Sequence, residues 1–137
     1  HVPPDTSISY GRLFTTERNS VIGTIPIGYA DGYSRRLTHR ASVLVRGQRA
    51  PVVGRICMDT CMADLSDLLD ANAAKTGDEV VLFGYQRFNG QTATIPVDEM
   101  AEWLDTINYE VTCLIGKRVP RVYFKDGALE HISNYLI

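Results

Sequence analysis

The chain has 137 residues, 45% of them hydrophobic and 22% charged, with a formal net charge of −2. That length fits one domain able to bury a core without staples. The mixed charge argues against a nucleic-acid groove, which needs a concentrated basic face, and no apolar run approaches the roughly 18 residues of a membrane span. The order of elements begins with Ile8 to Thr16, whose apolar alternation reads as a strand. Val21 to Ile27 is β-branched and ends at Gly28. Ala41 to Arg46 leads into Gly47-Gln48, which reads as a hairpin turn, and then into Arg49 to Cys57. Pro51 suggests that this strand lies at an edge or is only starting there. Cys61 to Leu65 and Glu79 to Phe83 read as two further strands, and Ser66 to Asn72 as a short helical turn between them.

One helix interrupts the strands. Pro96 suits a first helical position, Asp98 and Glu99 put negative charge where the helix dipole favours it, and Val97, Met100, Ala101, Leu104 and Ile107 recur at helical spacing. Asn108 is expected to end the helix, with Tyr109 just past it. Lys125-Asp126-Gly127-Ala128 then reads as a turn between strands Arg121 to Phe124 and Leu129 to Ile132, since Asp-Gly accommodates positive φ. The pattern predicts a mostly β domain, a small antiparallel β barrel with one main helix near residues 96–108; closure of that kind removes exposed edges.

Three cysteines, Cys57, Cys61 and Cys113, make a disulfide framework improbable and favour reduced thiols. Cys57 and Cys61 stand four apart and His39 and His131 are isolated, so the spacing does not favour a metal site. The cysteines read instead as small apolar core residues. Seven tyrosines are many for this length, and their positions separate them. Tyr123, inside an apolar strand, reads as core packing with its hydroxyl at the surface. Tyr10, Tyr29, Tyr33 and Tyr109 adjoin glycine, aspartate or a helix end, where functional residues concentrate. Arg35, Arg36 and Arg40 form either a solvated basic turn or a working patch. Arg55 either pairs with Asp59 or Asp64 or serves a site, and Met58 and Met62 are equally consistent with core filling.

Four separated blocks occur in order: Ser9-Tyr10-Gly11, Pro26-Ile27-Gly28-Tyr29-Ala30-Asp31-Gly32, Gly54-Arg55-Ile56-Cys57-Met58-Asp59 and Ile107-Asn108-Tyr109-Glu110. Together they resemble the C-terminal β domain of the alanine racemase family, from Ser9 to about Val122. The resemblance implies a larger pyridoxal 5'-phosphate enzyme. In it residues 1–137 are a single C-terminal domain, and an N-terminal (β/α)8 barrel of roughly 230 residues carries the cofactor on a lysine. The start at His1-Val2-Pro3-Pro4, without methionine, agrees with a piece cut at a linker. The resemblance further implies a cytoplasmic homodimer, head to tail, in which this domain contacts the barrels of its own and the partner subunit and completes the partner's site for an amino-acid substrate.

By position, Tyr10 resembles the tyrosine base that handles the α-proton on the face opposite the lysine. A free phenol ionises near about pH 10, so such a role needs a helping cation or hydrogen bond. Met58 resembles the residue whose backbone N–H holds the substrate carboxylate. Tyr29 resembles a residue lining the narrow approach to the cofactor, and Asp31, Arg35, Arg55 and Ile107 the polar gate farther out. Tyr109 resembles a ligand of the cofactor phosphate, for which a hydroxyl is a suitable donor. The chain's lysines, Lys75, Lys117 and Lys125, match no cofactor-lysine motif. Two other readings stay open at this point. One is a serine racemase that reuses the domain; the other is an OB-like β-barrel module that binds oligonucleotide or oligosaccharide through surface aromatics.

Overall fold

The computed structural model describes residues 1–68 and 70–135. It is built from eleven strands and two helices: β1 (Ser7–Ile8), β2 (Phe14–Thr15), β3 (Ile22–Ile25), β4 (Ser42–Val45), β5 (Gln48–Val53), β6 (Cys61–Asp64), β7 (Val80–Val81), β8 (Gly84–Phe88), β9 (Gln91–Ile95), α1 (Val97–Leu104), α2 (Asn108–Leu114), β10 (Arg121–Lys125) and β11 (Ala128–Ser133). All the strand pairs are antiparallel. The main sheet has the order β3-β6-β5-β4-β7, and three two-stranded pairs stand beside it, β1-β2, β8-β9 and β10-β11. The sheet curls into a half-barrel with β3 and β7 at its two ends, in keeping with the expected mostly β, antiparallel barrel-like domain, and two helices stand where one main helix was expected. Pro51 sits within β5 opposite Ser42, where β6 is not yet paired. Its missing N–H therefore costs no ladder bond on that side.

Three hairpins turn on the same chemistry. Arg46-Gly47, Asn89-Gly90 and Asp126-Gly127 each place two successive residues at positive φ, as the mirror-image two-residue turn requires. The first corrects the expected Gly47-Gln48 turn by one residue, because Gln48 already pairs with Val45. The second belongs to β8-β9, which the apolar pattern does not reveal.

The core lies between the sheet and α1. Leu37, Val43, Val45, Val52, Ile56, Cys61 and Ala63 from the sheet side meet Met100, Ala101 and Leu104 of α1 and Val111 of α2. The helix stops sooner than its apolar spacing implies. Asp105 adopts a left-handed conformation (φ 59°), and the Thr106 N–H donates back to the Ala101 carbonyl at 3.0 Å, which closes the helix end. Ile107 is extended and largely exposed, so it is not part of the buried stripe. Asn108 then begins α2 in place of ending α1, and Tyr109 lies in the first turn of a second helix.

Two other expectations are corrected. Ile8 to Thr16 is not one strand: a 3-10 turn at Tyr10–Arg12 separates β1 from β2. Tyr123 is half exposed and stacks on His131, with ring centroids 5.8 Å apart, so it is not a core residue. Between β6 and β7 the chain makes a 3-10 turn at Ala71–Ala73. The helical turn expected over Ser66 to Asn72 spans Leu69, which lies outside the described residues.

Candidate functional site

Two glycine-bearing loops and one strained turn make the site. The first loop begins at Gly28, whose N–H donates to the Asp31 carboxylate at 2.9 Å and opens the 3-10 turn Tyr29–Asp31. A Cβ at Gly28 would lie 2.3 Å from the Cys57 carbonyl oxygen and 2.4 Å from that of Met58. Only glycine permits this approach, and the approach lets Tyr29 N–H donate to Cys57 O (3.1 Å) and Ala30 N–H to Met58 O (3.0 Å). The second loop, Gly54 to Thr60, closes on itself through Cys57 N–H to Thr60 O at 2.9 Å. Among the described residues these loop bonds leave out the Met58 N–H.

The strained turn carries Tyr10. Ser9 sits at φ 66°, ψ 179°, a region that is essentially glycine's and costs on the order of 1–3 kcal/mol for other residues. Its hydroxyl donates to the Arg55 carbonyl at 2.6 Å and lies 3.4 Å from Cys57 Sγ. Gly11 (φ 76°) follows, with the Arg55 guanidinium 3.4 Å from where its Cβ would be. Tyr10 therefore projects from a turn fixed to the second loop and is left largely exposed.

These pieces enclose one open concavity of about 1050 Å³, lined by Tyr10, Tyr29, Arg35, Arg55, Met58 and their neighbours Ser9, Cys57 and Asp59. The structure thus brings together five of the residues singled out in the sequence, Tyr10, Tyr29, Arg35, Arg55 and Met58. Met58 is half exposed, not core filler. Arg55 does not pair with either nearby aspartate: Asp59 takes Arg118 and Asp64 takes Ser66. Its Nε is buried without a hydrogen-bond partner among the described residues. A guanidinium so placed is suited to an anionic ligand.

Asp31, Ile107 and Tyr109 do not line the concavity. Asp31 is buried, holding the Gly28 N–H and lying 3.4 Å from Arg118 Nε. Ile107 and Tyr109 are exposed on α2 and its approach. Arg36 faces Asp105 at 3.7 Å and Arg40 donates to the Trp103 carbonyl at 3.4 Å, so both serve the α1 side and not the concavity. Arg118, which sequence reasoning passed over, joins both loops. Its signal was its place in Gly116-Lys117-Arg118-Val119-Pro120, a turn-rich stretch just after α2.

The thiols differ by burial. Cys61 is fully buried, Cys57 is partly buried on the concavity and Cys113 is exposed. Burial, with Cys57 nearby as a lesser cause, pushes the Cys61 thiol up to about 12. Tyr33 is also buried, its hydroxyl lacks a partner among the described residues, and desolvation raises its ionisation well above that of a free phenol. It belongs to the core and not to the site. No group of histidine, cysteine and acidic residues that could hold a metal ion occurs among the described residues, and no described helix is long and apolar enough to cross a membrane.

Half-barrel, hairpins and paired helices define a β domain whose polar concavity sits at loop ends. Residues 1–123 match the family model for the C-terminal domain of alanine racemase. An alanine racemase of Clostridium novyi is 53% identical over 135 residues, covering 98% of this chain and 33% of that protein. One from Desulfovibrio desulfuricans is 57% identical over 122 residues, covering 89% and 30%. Among solved structures, alanine racemase from Bacillus anthracis with bound L-Ala-P superposes with a TM-score of 0.86 at 38% identity, covering 98% of this chain and 32% of that one. Alanine racemase from Bartonella henselae with covalently bound pyridoxal phosphate gives 0.75 at 34% identity, covering 90% and 32%. The chain belongs to the alanine racemase family, as its C-terminal domain. It spans about a third of the length of the curated relatives it matches.

Proposed function

We propose that the chain works as the C-terminal domain of a pyridoxal-phosphate-dependent alanine racemase that interconverts L-alanine and D-alanine in the cytoplasm. An N-terminal (β/α)8 barrel supplies the cofactor lysine, and a homodimer sets this domain's concavity against the partner's barrel. The observation that carries the reading is the convergence of Tyr10, Tyr29, Met58 and Arg55, whose buried Nε has no hydrogen-bond partner among the described residues, from three chain segments on one open concavity. A lone OB-like binding module would not require a strained, pinned turn beneath an exposed tyrosine.

The residues fit the outer half of a cofactor and substrate site. Phenol hydroxyls, a guanidinium and a backbone N–H are donors suited to phosphate and carboxylate. The lysines lie elsewhere: Lys75 borders a different pocket, Lys117 lies over Tyr135 and Lys125 faces Glu130. When bound, pyridoxal phosphate supplies the electron sink that makes an amino acid's α-hydrogen removable. Within that arrangement Tyr10 Oη takes or returns the α-proton on one face. The Met58 N–H orients the substrate carboxylate. Tyr29 narrows the approach, Arg35 and Arg55 draw in the carboxylate, Asp31 acts by holding the Tyr29 turn, and Ile107 belongs to the gate farther out along the approach. Tyr109 would help hold the cofactor phosphate through its hydroxyl. The test is a full-length preparation given L-alanine and pyridoxal phosphate: chiral chromatography should detect D-alanine approaching an equal mixture. A full-length protein that leaves alanine untouched while racemising serine would move the substrate assignment.

A further inference from the structure

Arg118 lies on the segment between α2 and β10, outside the lining of the concavity. Its guanidinium reaches two carboxylates on different loops. Nη2 donates to Asp59 Oδ1 at 2.6 Å, and Nε lies 3.4 Å from Asp31 Oδ1. Asp59 directly follows Met58, and Asp31 ends the turn that begins with Tyr29. The Asp31 carboxylate also accepts the Gly28 N–H, and the Asp31 carbonyl accepts the Gly116 N–H at 2.9 Å. The backbone bonds from Tyr29 and Ala30 zip the start of the turn to Cys57 and Met58. Arg118 ties the end of the turn to the far side of Met58.

We propose that Arg118 is a positioning residue for racemisation, one guanidinium that locks the Tyr29 turn and the Met58 loop in register at the concavity. The proposal rests on the functional reading above. Both partners in the shorter contact are about half exposed, Arg118 at 44% and Asp59 at 57%. Ion pairs so exposed add little to global stability, so the contribution of this one is geometric. A planar guanidinium can span two carboxylates through separate nitrogens, whereas a lysine ammonium concentrates its charge and its donors at one atom.

The experiment uses the full-length protein and the variants Arg118→Met, Arg118→Lys, Asp59→Asn and the Arg118→Met/Asp59→Asn pair. It measures kcat and KM with each alanine enantiomer, together with amide deuterium exchange. Arg118→Met is expected to lower kcat/KM by about tenfold to a hundredfold, mainly through KM, as a displaced binding loop does. Exchange should quicken in 28–32 and 55–60 and stay unchanged in β5 and β6. Arg118→Lys should recover less than half of the loss on a logarithmic scale. The double variant should match Arg118→Met within about twofold, because the two residues act as one unit. Should Arg118→Met fail to fold, Asp59→Asn still removes one arm and carries the same comparison. Unchanged kinetics and exchange, full rescue by lysine, or a loss accompanied by uniformly faster exchange would each overturn the proposal. A wild-type protein inactive on alanine would overturn the functional reading instead, while local exchange would still report whether Arg118 clamps the two loops.

Discussion

The Ser9 hydroxyl donates to the Arg55 carbonyl at 2.6 Å, and this bond holds Ser9 in a backbone conformation that residues with a side chain seldom adopt. The two residues are 46 positions apart in sequence. One hydrogen bond thus joins the turn that presents Tyr10 to the loop that presents Met58. Ser9→Ala should keep the strain and lose the anchor, lowering stability by about 1–2 kcal/mol. Ser9→Gly should relieve the strain and so cost less stability, yet still loosen Tyr10 and reduce turnover. Urea unfolding beside racemase kinetics separates the two; equal stability losses for both variants would refute the strain.

Tyr10→Phe keeps the ring and removes the hydroxyl. In the full-length protein, interconversion should fall by about 10²–10⁴, the usual contribution of a general acid–base group. The loss should divide between the enantiomers, because bases on opposite faces act on opposite enantiomers. One enantiomer of alanine should still exchange its α-hydrogen with solvent deuterium, followed by mass spectrometry, while the other does not. Near-normal racemisation would leave Tyr10 as a surface residue only.

The local chemistry of turns made much of this fold legible, and its limits are physical. The Asp126-Gly127 hairpin reads directly because Asp-Gly stands between two β-prone runs, Val122 to Phe124 and Leu129 to Ile132. Asn89-Gly90 carries an equally good turn signal, but the inward position of β8 is Gln86. That side chain is buried because its oxygen accepts the Gly47 N–H at 2.9 Å and its nitrogen donates to the Glu79 carbonyl at 2.9 Å. A satisfied polar residue does an apolar residue's work there, so the periodicity disappears. The break between α1 and α2 is hidden similarly, since Asp105 takes the left-handed position that glycine usually marks. At the site, residue types could be read from the motif blocks. The contacts that hold the shared concavity together, between Gly28 and Cys57 and between Ser9 and Arg55, could not. Arg118 was missed for the same reason: a surface arginine in a turn has no pattern of its own until its two carboxylates are seen.

Gly28→Ala tests the close approach of the loops. The new methyl would meet two backbone carbonyls at 2.3 and 2.4 Å, and backbone cannot swing aside as a side chain does. Overpacking of this kind costs typically about 1–3 kcal/mol. The variant should unfold at lower urea, and the Tyr29 and Ala30 amides should exchange faster as their bonds to Cys57 and Met58 open. Gly23→Ala meets only the flexible Leu65 side chain at 3.1 Å and is the milder control. Equal effects of the two substitutions would argue against loop contact as the cause.

Alkaline pH tests the two buried acids of the core. In the folded chain Cys61 is held neutral up to about pH 12, and burial keeps the Tyr33 phenol neutral well past its ordinary range. In the unfolded chain the thiol ionises from about pH 9 and the phenol from about pH 10. Below those values both states carry the protons and stability is independent of either group. Above them the unfolded state releases protons that the folded state keeps, so stability falls as pH rises. Each group contributes a decline of about 1.4 kcal/mol per pH unit within its window. Urea midpoints measured from pH 8 to 11 should bend downward near 9 and more steeply near 10. Cys61→Ala should remove the first bend. Tyr33→Phe should remove the second, and should also raise stability at neutral pH, because its buried hydroxyl finds no partner among the described residues and such a group costs on the order of 1–3 kcal/mol. If Tyr33→Phe instead lowers neutral stability with the bend intact, the hydroxyl has a partner and the ring does more than fill the core.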